Sequence, residues 1–134
     1  MFTHCCHCTQ CQQLTGSAFA VNSVIEASNI EVLSGSVEAF VARVEGGRPH
    51  DIYRCKDCMS PLWSAFGGRP VRSLRVGSLN DSSLLTPDAH IFVRSKLEWI
   101  VIPEDALRFD VFYEFEAVWP PKMLARLNAA LSNS

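Results

Sequence analysis

Five of the six cysteines in this chain fall into two clusters, Cys6-His7-Cys8-Thr9-Gln10-Cys11 and Cys55-Lys56-Asp57-Cys58, and the sixth, Cys5, abuts the first. Thiols this close together are the donor set that a divalent ion such as zinc takes. Side chains at i and i+2 of an extended segment leave the same face, so Cys6 and Cys8 point together. Cys11, three residues on, can return to the same point through a tight turn. CxCxxC can therefore deliver three thiolates to one ion and leave a fourth tetrahedral corner for water or substrate, as catalytic zinc sites do. A thiol binding at that corner loses its proton readily, because the cation stabilises the thiolate.

Cys55 and Cys58 form a CxxC knuckle, which supplies two ligands and needs two more. The competing arrangement is one closed site built from Cys8, Cys11, Cys55 and Cys58. Such a site only holds a fold together, and it would leave Cys6 a spare thiol. A redox role for Cys55 and Cys58 lacks the surrounding βαβ pattern. His7, between two ligands, faces away from the metal by strand alternation. His50 and His90 stand alone in the sequence and read as surface or satisfied core residues. Thr15-Gly16-Ser17 follows the ligands directly. Gly16 and Ser17 can offer backbone N–H groups to a substrate carboxylate or an oxyanion; the plainer reading is a turn capped by Thr15 or Ser17. Phe19 and Trp63 can wall an apolar substrate pocket, although large aromatics are more often plain core.

The elements that must position these residues are short strands. Val21 to Ile25, Ile30 to Leu33, Val37 to Val44, His50 to Arg54 and Val71 to Val76 read as strands, and Ile91 to Val93 and Trp99 to Ile102 are β-rich. Val37 to Val44 is apolar on both parities, which suits a strand covered on both faces. Gly46-Gly47-Arg48-Pro49 makes a turn, and Asn80 to Asp88 a polar loop. Trp119-Pro120-Pro121 breaks the chain, and a helix follows within 120–131. Its Met123, Leu124, Leu127 and Leu131 share one face, which docks on the domain or forms a dimer contact. The fold expected is mostly β: a small zinc-containing β-sandwich or half-barrel of short antiparallel strands with a short C-terminal helix, as one domain over 1–134.

Composition sets the remaining bounds. The chain has 134 residues, 48% hydrophobic and 19% charged, enough to bury a core without disulfides. A net charge of −2 with scattered arginines (Arg43, Arg48, Arg69, Arg72, Arg75) gives no footprint for nucleic acid, and these arginines read as solvated surface. No run reaches the ~20 apolar residues of a membrane span. MFTHCC is not the start of a secretory signal, so metal-bound thiols in a reducing cytoplasm are expected rather than disulfides.

CHCTQCQQLTGSAFA, from Cys6 to Ala20, closely resembles the signature of the glutathione-dependent formaldehyde-activating enzyme and centromere protein V family. RCKDCMSPLW (Arg54 to Trp63) is similar to its second motif, and RVGSLND (Arg75 to Asp81) and HIFVRSKLEWI (His90 to Ile100) also resemble family segments. The likeness spans Cys6 to about Pro103. It implies a mostly-β fold with one or two zinc ions per chain. The catalytic zinc maps onto Cys6, Cys8 and Cys11, and a structural four-cysteine site takes two ligands from Cys55 and Cys58. The implied reaction combines glutathione with formaldehyde to give S-hydroxymethylglutathione, a carbon–sulfur lyase activity; a similar small thiol or aldehyde is the other substrate reading. The alternative is a zinc-stabilised binding module without catalysis. In the family, the other two structural ligands lie in a CxC on a preceding strand. Only five residues precede Cys6, so that strand is expected to be missing upstream of residue 1, through a late start or trimming. A divergent member with a single zinc is the other reading.

Overall fold

The computed structural model describes residues 1–42 and 49–132. Its framework is one mixed eight-stranded sheet. The strands are β1 (Thr3–Cys6), β2 (Ala20–Glu26), β3 (Val37–Ala42), β4 (His50–Cys55), β5 (Pro61–Phe66), β6 (Val71–Arg75), β7 (Ala89–Ile91) and β8 (Leu107–Arg108), in the order β3-β4-β5-β6-β2-β1-β7-β8. The fold is mostly β, as expected. Every pairing from β3 to β1 is antiparallel, whereas β1–β7 and β7–β8 are parallel. Among the described residues, three α-helices accompany it: α1 (Thr9–Thr15), α2 (Phe115–Val118) and α3 (Pro121–Ser132).

β1 is the strand that carries the first cysteines, and it is buried along its whole length. Because successive side chains alternate, a fully buried strand must be covered on both faces. Phe2, just before it, lies in the core with Ala89, Trp119 and Leu127. Phe2 and Trp119 stack with ring centroids 5.1 Å apart and planes 12° from parallel. Burying aromatics of this size stabilises the fold by about 2–3 kcal/mol each. Trp119 Nε1 donates to the Tyr113 hydroxyl at 2.8 Å, and the same hydroxyl pairs with His4 Nε2, so the polar atoms of this cluster are satisfied internally.

α3 opens on Pro121, whose missing N–H costs nothing in a first turn. Leu127 is buried and Met123 and Leu124 pack on the core, so the helix docks through the expected stripe; Leu131 remains exposed. Arg126 grips Glu26 of β2 with two hydrogen bonds of 2.9 and 2.7 Å.

Three expectations change. Ile30 to Leu33 is not a strand: it follows a single 3-10 turn over Ala27–Asn29, and Leu33 is 86% exposed. β3 is the outer strand, so Glu38 to Val41 are exposed rather than covered on both faces. Trp99 to Ile102 is irregular, with Trp99 and Val101 in solvent. In each case β-branched and aromatic content signals strand propensity, but tertiary pairing decides whether a partner exists. The expected end of the third strand and the turn at 46–48 lie outside the described residues. Among the described residues, no helix is long and apolar enough to cross a membrane.

Candidate metal centre

β1 ends at Cys6, and the chain stays extended through His7 to Cys8, which is the N-cap of α1 with φ −66° and ψ 150°. The Cys8 Sγ accepts the backbone N–H of Cys11 at 3.3 Å. The tight turn expected between Cys8 and Cys11 is therefore the first turn of a helix, and the cap is a thiol doing what a Ser or Asp side chain usually does. α1 closes at Gly16, which takes the left-handed conformation (φ 62°) and returns its N–H to Gln12 O at 2.9 Å. Thr15 Oγ1 donates back to Cys11 O at 2.7 Å.

This geometry gathers three sulfurs. The Cys6 and Cys8 Sγ atoms are 3.5 Å apart, and those of Cys6, Cys8 and Cys11 all lie within 4.8 Å of one another. Sulfurs at two corners of a zinc tetrahedron are about 3.8 Å apart, given a Zn–S bond of about 2.3 Å. Spacing and donor type thus both fit a zinc ion. Cys6 is buried while Cys8 and Cys11 are half-buried, so the cluster is approachable from one side.

Protons reinforce the same reading. The Cys6 thiol is pushed up by hydrogen bonds with Cys11 and Cys8 and by burial. Cys8 is held well below the ordinary thiol range, because the Cys11 and Cys6 side chains and backbone N–H groups donate to it. Three thiolates this close repel one another, so without a cation the trio shares protons around one thiolate. A divalent ion held there would displace those protons and take all three sulfurs as donors.

Other expected residues fall into place differently. Gly16 and the exposed Ser17 sit at the C-terminal end of α1, beyond the ligands. Phe19 lies edge-on to His7 at 5.6 Å. Trp63 stacks on Tyr53 at 5.4 Å and lines a groove of about 280 Å³ with Cys55, Val37 and Leu62, a groove that does not include Phe19.

The second cysteine pair belongs to a separate turn. Cys55 ends β4, its N–H bonds Ser60 O at 3.0 Å, and Met59 takes a positive φ of 60° so that its N–H reaches Cys55 O at 2.9 Å. Cys58 is exposed and donates to Ser60 Oγ at 3.2 Å. Among the described residues, Cys55 and Cys58 join no cluster of three donors. The closed Cys8/Cys11/Cys55/Cys58 arrangement is thus not assembled. The two groups sit on strands far apart in the sheet, with β5, β6 and β2 between β4, which ends at Cys55, and β1, which ends at Cys6.

Four residues were not placed by the sequence reading. Arg75, expected on the surface, is buried at the end of β6; its Nη1 donates to Asn22 Oδ1 on β2, and its charge draws on Cys11 and His50. The RVGSLND segment was a signal, but nothing in it announces burial. Gln12 Nε2 donates to His7 O at 2.8 Å and to Ser95 O at 3.0 Å, tying the ligand loop to a segment 83 residues away. His90 is not isolated, since its Nδ1 is 3.0 Å from His7 Nε2. His50 is buried core, yet neither ring nitrogen has a partner among the described residues, so it is not satisfied.

A model of the glutathione-dependent formaldehyde-activating enzyme family matches residues 1–95. Among curated proteins, none matches the chain.

Proposed function

Because the chain belongs to the glutathione-dependent formaldehyde-activating enzyme family, we propose that it is a zinc-dependent carbon–sulfur lyase that combines glutathione, or a related small thiol, with formaldehyde to give S-hydroxymethylglutathione. The observation that carries this reading is the convergence of the Cys6, Cys8 and Cys11 sulfurs within 4.8 Å. Those three residues would hold the ion. Bound there, zinc would supply Lewis acidity and thiolate stabilisation.

The chain's own residues supply the rest. Cys8, already the most acidic of the three thiols, is the first to offer a thiolate donor. Gln12, next to Cys11 in α1, donates to both His7 O and Ser95 O, which would steady the turn that carries the three sulfurs. Arg75 places a fixed positive charge beside Cys11, suited to a carboxylate of the anionic tripeptide. The backbone of Gly16 and Ser17 and the ring of Phe19 are further candidate contacts. Most of the rate gain expected is that of holding thiol and carbonyl together. Six unpaired cysteines suit a reducing compartment, and the cytoplasm is the proposed location.

Thiols add to formaldehyde unaided, so the experiment is comparative. The rate of adduct formation is measured with wild-type protein, with Cys8→Ser and Cys11→Ser, and with buffer alone. Acceleration by the wild type, with loss in both variants, supports the reading. Equal rates in wild type and variants would sink it.

A further inference from the structure

The structure holds a second convergent donor set that the proposed reaction does not use. Cys5 and His90 are register partners in the parallel β1–β7 pair, so their side chains leave the sheet side by side on one face. His7 follows Cys5 by two residues and joins the same face, its N–H bonded to Ile91 O at 3.0 Å. Cys5 Sγ is 3.6 Å from His7 Nε2, and His7 Nε2 is 3.0 Å from His90 Nδ1. All three donor atoms lie within 4.8 Å of one another.

We propose that Cys5, His7 and His90 form a second site for a zinc-class divalent ion, back to back with the Cys6/Cys8/Cys11 trio across β1. Donor type and spacing carry this. Around a tetrahedral zinc with bonds of about 2.3 Å to sulfur and about 2.0–2.1 Å to nitrogen, sulfur and nitrogen stand about 3.6 Å apart and two nitrogens about 3.3 Å apart. The observed separations are close to both. The ligands are also built in: Cys5 is 2% and His7 0% exposed, and Phe19 packs edge-on against the His7 ring while His90 stacks on it. His7 Nδ1 has no partner among the described residues, so every polar attachment of that ring is made at Nε2, toward the cluster. His90 is only half-buried and gives the ion its way in.

Binding balances simply. The Cys5 thiol loses its proton to solvent. The proton shared between His7 Nε2 and His90 Nδ1 moves to the far nitrogen of the ring that carries it, and both imidazoles stay neutral donors. The site uses none of the three thiols of the proposed reaction, so the two readings fail separately.

The test is cadmium-113 NMR and metal counting on the full chain, stripped and reloaded with cadmium alone, in a Cys55→Ser/Cys58→Ser background that removes the remaining pair. The expected result is two ions per chain and two resonances, one of an all-thiolate site and one of a mixed sulfur–nitrogen site. His90→Gln, at a half-buried position, should drop the count to one and erase only the mixed-site resonance. Cys5→Ala should do the same, and Cys8→Ser should erase only the other. Amide spectra verify that each variant is folded, and His90→Gln alone is decisive if Cys5→Ala is not. Absence of the mixed-site resonance from the background protein, or its retention in folded His90→Gln, overturns the proposal.

Discussion

Arg75 and Asn22 are register partners across the β2–β6 pair, and the arginine Nη1 donates to the asparagine Oδ1. This bond holds a buried guanidinium beside the sulfur cluster, with its Nε unpartnered among the described residues. A buried cation with spare donors is suited to an anionic ligand. Arg75→Gln should raise the KM for glutathione roughly tenfold with a smaller change in kcat, the loss of one charge-assisted contact. Arg75→Lys should recover only part of it, since an ammonium lacks the planar fork. Steady-state kinetics with varied glutathione decides this, with urea denaturation confirming that the variants fold. An unchanged KM removes Arg75 from substrate recognition.

Chelation should lower thermal stability. Without a cation, Cys6, Cys8 and Cys11 must share protons in a partly buried cluster. An ion that binds only the folded state adds RT ln(1 + [L]/Kd), about 3–4 kcal/mol at a hundred to a thousand times Kd. The unfolding midpoint followed by circular dichroism should therefore fall by ten degrees or so on treatment with a strong chelator and return with added zinc. Cys8→Ser should show a smaller response to both, that of the ion which Cys5, His7 and His90 still hold. A wild-type midpoint indifferent to chelator would speak against metal in the folded chain.

His50 should make the protein acid-sensitive. The ring is buried against Phe66, with centroids 4.0 Å apart, and burial, followed by the nearby Arg75 charge, lowers its pKa. Above the ordinary imidazole pKa of about 6.5, the ring is neutral in both folded and unfolded chains. Below it, the unfolded chain takes up a proton that the folded chain refuses, so stability falls with pH. His50→Leu, of similar volume, removes two orphaned nitrogens and this titration. It should be as stable as wild type or more so at pH 8, by up to about 1–2 kcal/mol, and its advantage should widen by pH 5. Urea titrations at both pH values measure this; parallel behaviour would mean that the ring protonates normally in the fold.

Tyr113→Phe should destabilise the aromatic core. The hydroxyl serves both Trp119 Nε1 and His4 Nε2, and burial pushes its pKa up to about 12, so it stays protonated throughout the working range. Its removal orphans two buried polar groups at a cost of about 2–4 kcal/mol, at about 1–3 each with partial relaxation. Denaturant unfolding measures the loss, and a change under 0.5 kcal/mol, as is about usual for a surface site, would show that water replaces the hydroxyl.

Gly16→Ala should cost about 1 kcal/mol. No heavy atom lies within 4 Å of the added Cβ, so the cost is that of holding an alanine at φ 62°. Because Gly16 ends the helix that carries Cys11, the variant should also bind zinc more weakly in a competition titration. An equal affinity would show that the first turn of α1 keeps its form without the left-handed cap.

The amino-acid sequence determined what is local. CxCxxC brings its sulfurs together because three donors within six residues need only one extended step and one helical turn, whatever the rest of the chain does. The strands β2, β4 and β6 and the apolar stripe of α3 were legible for the same reason, since a period of two or of 3.6 is written within a few residues. Only the tertiary structure decided what depends on pairing across long separations. His90 meets His7 because β7 lies parallel to β1, 83 residues away. Arg75 is buried because β6 adds beside β2, and Ile30 to Leu33 is no strand because no strand pairs with it among the described residues. Cys55 and Cys58 stay apart from the trio because three strands separate β4 from β1. Register along a sheet is set by the sum of many weak contacts, and no single stretch of residues carries that sum.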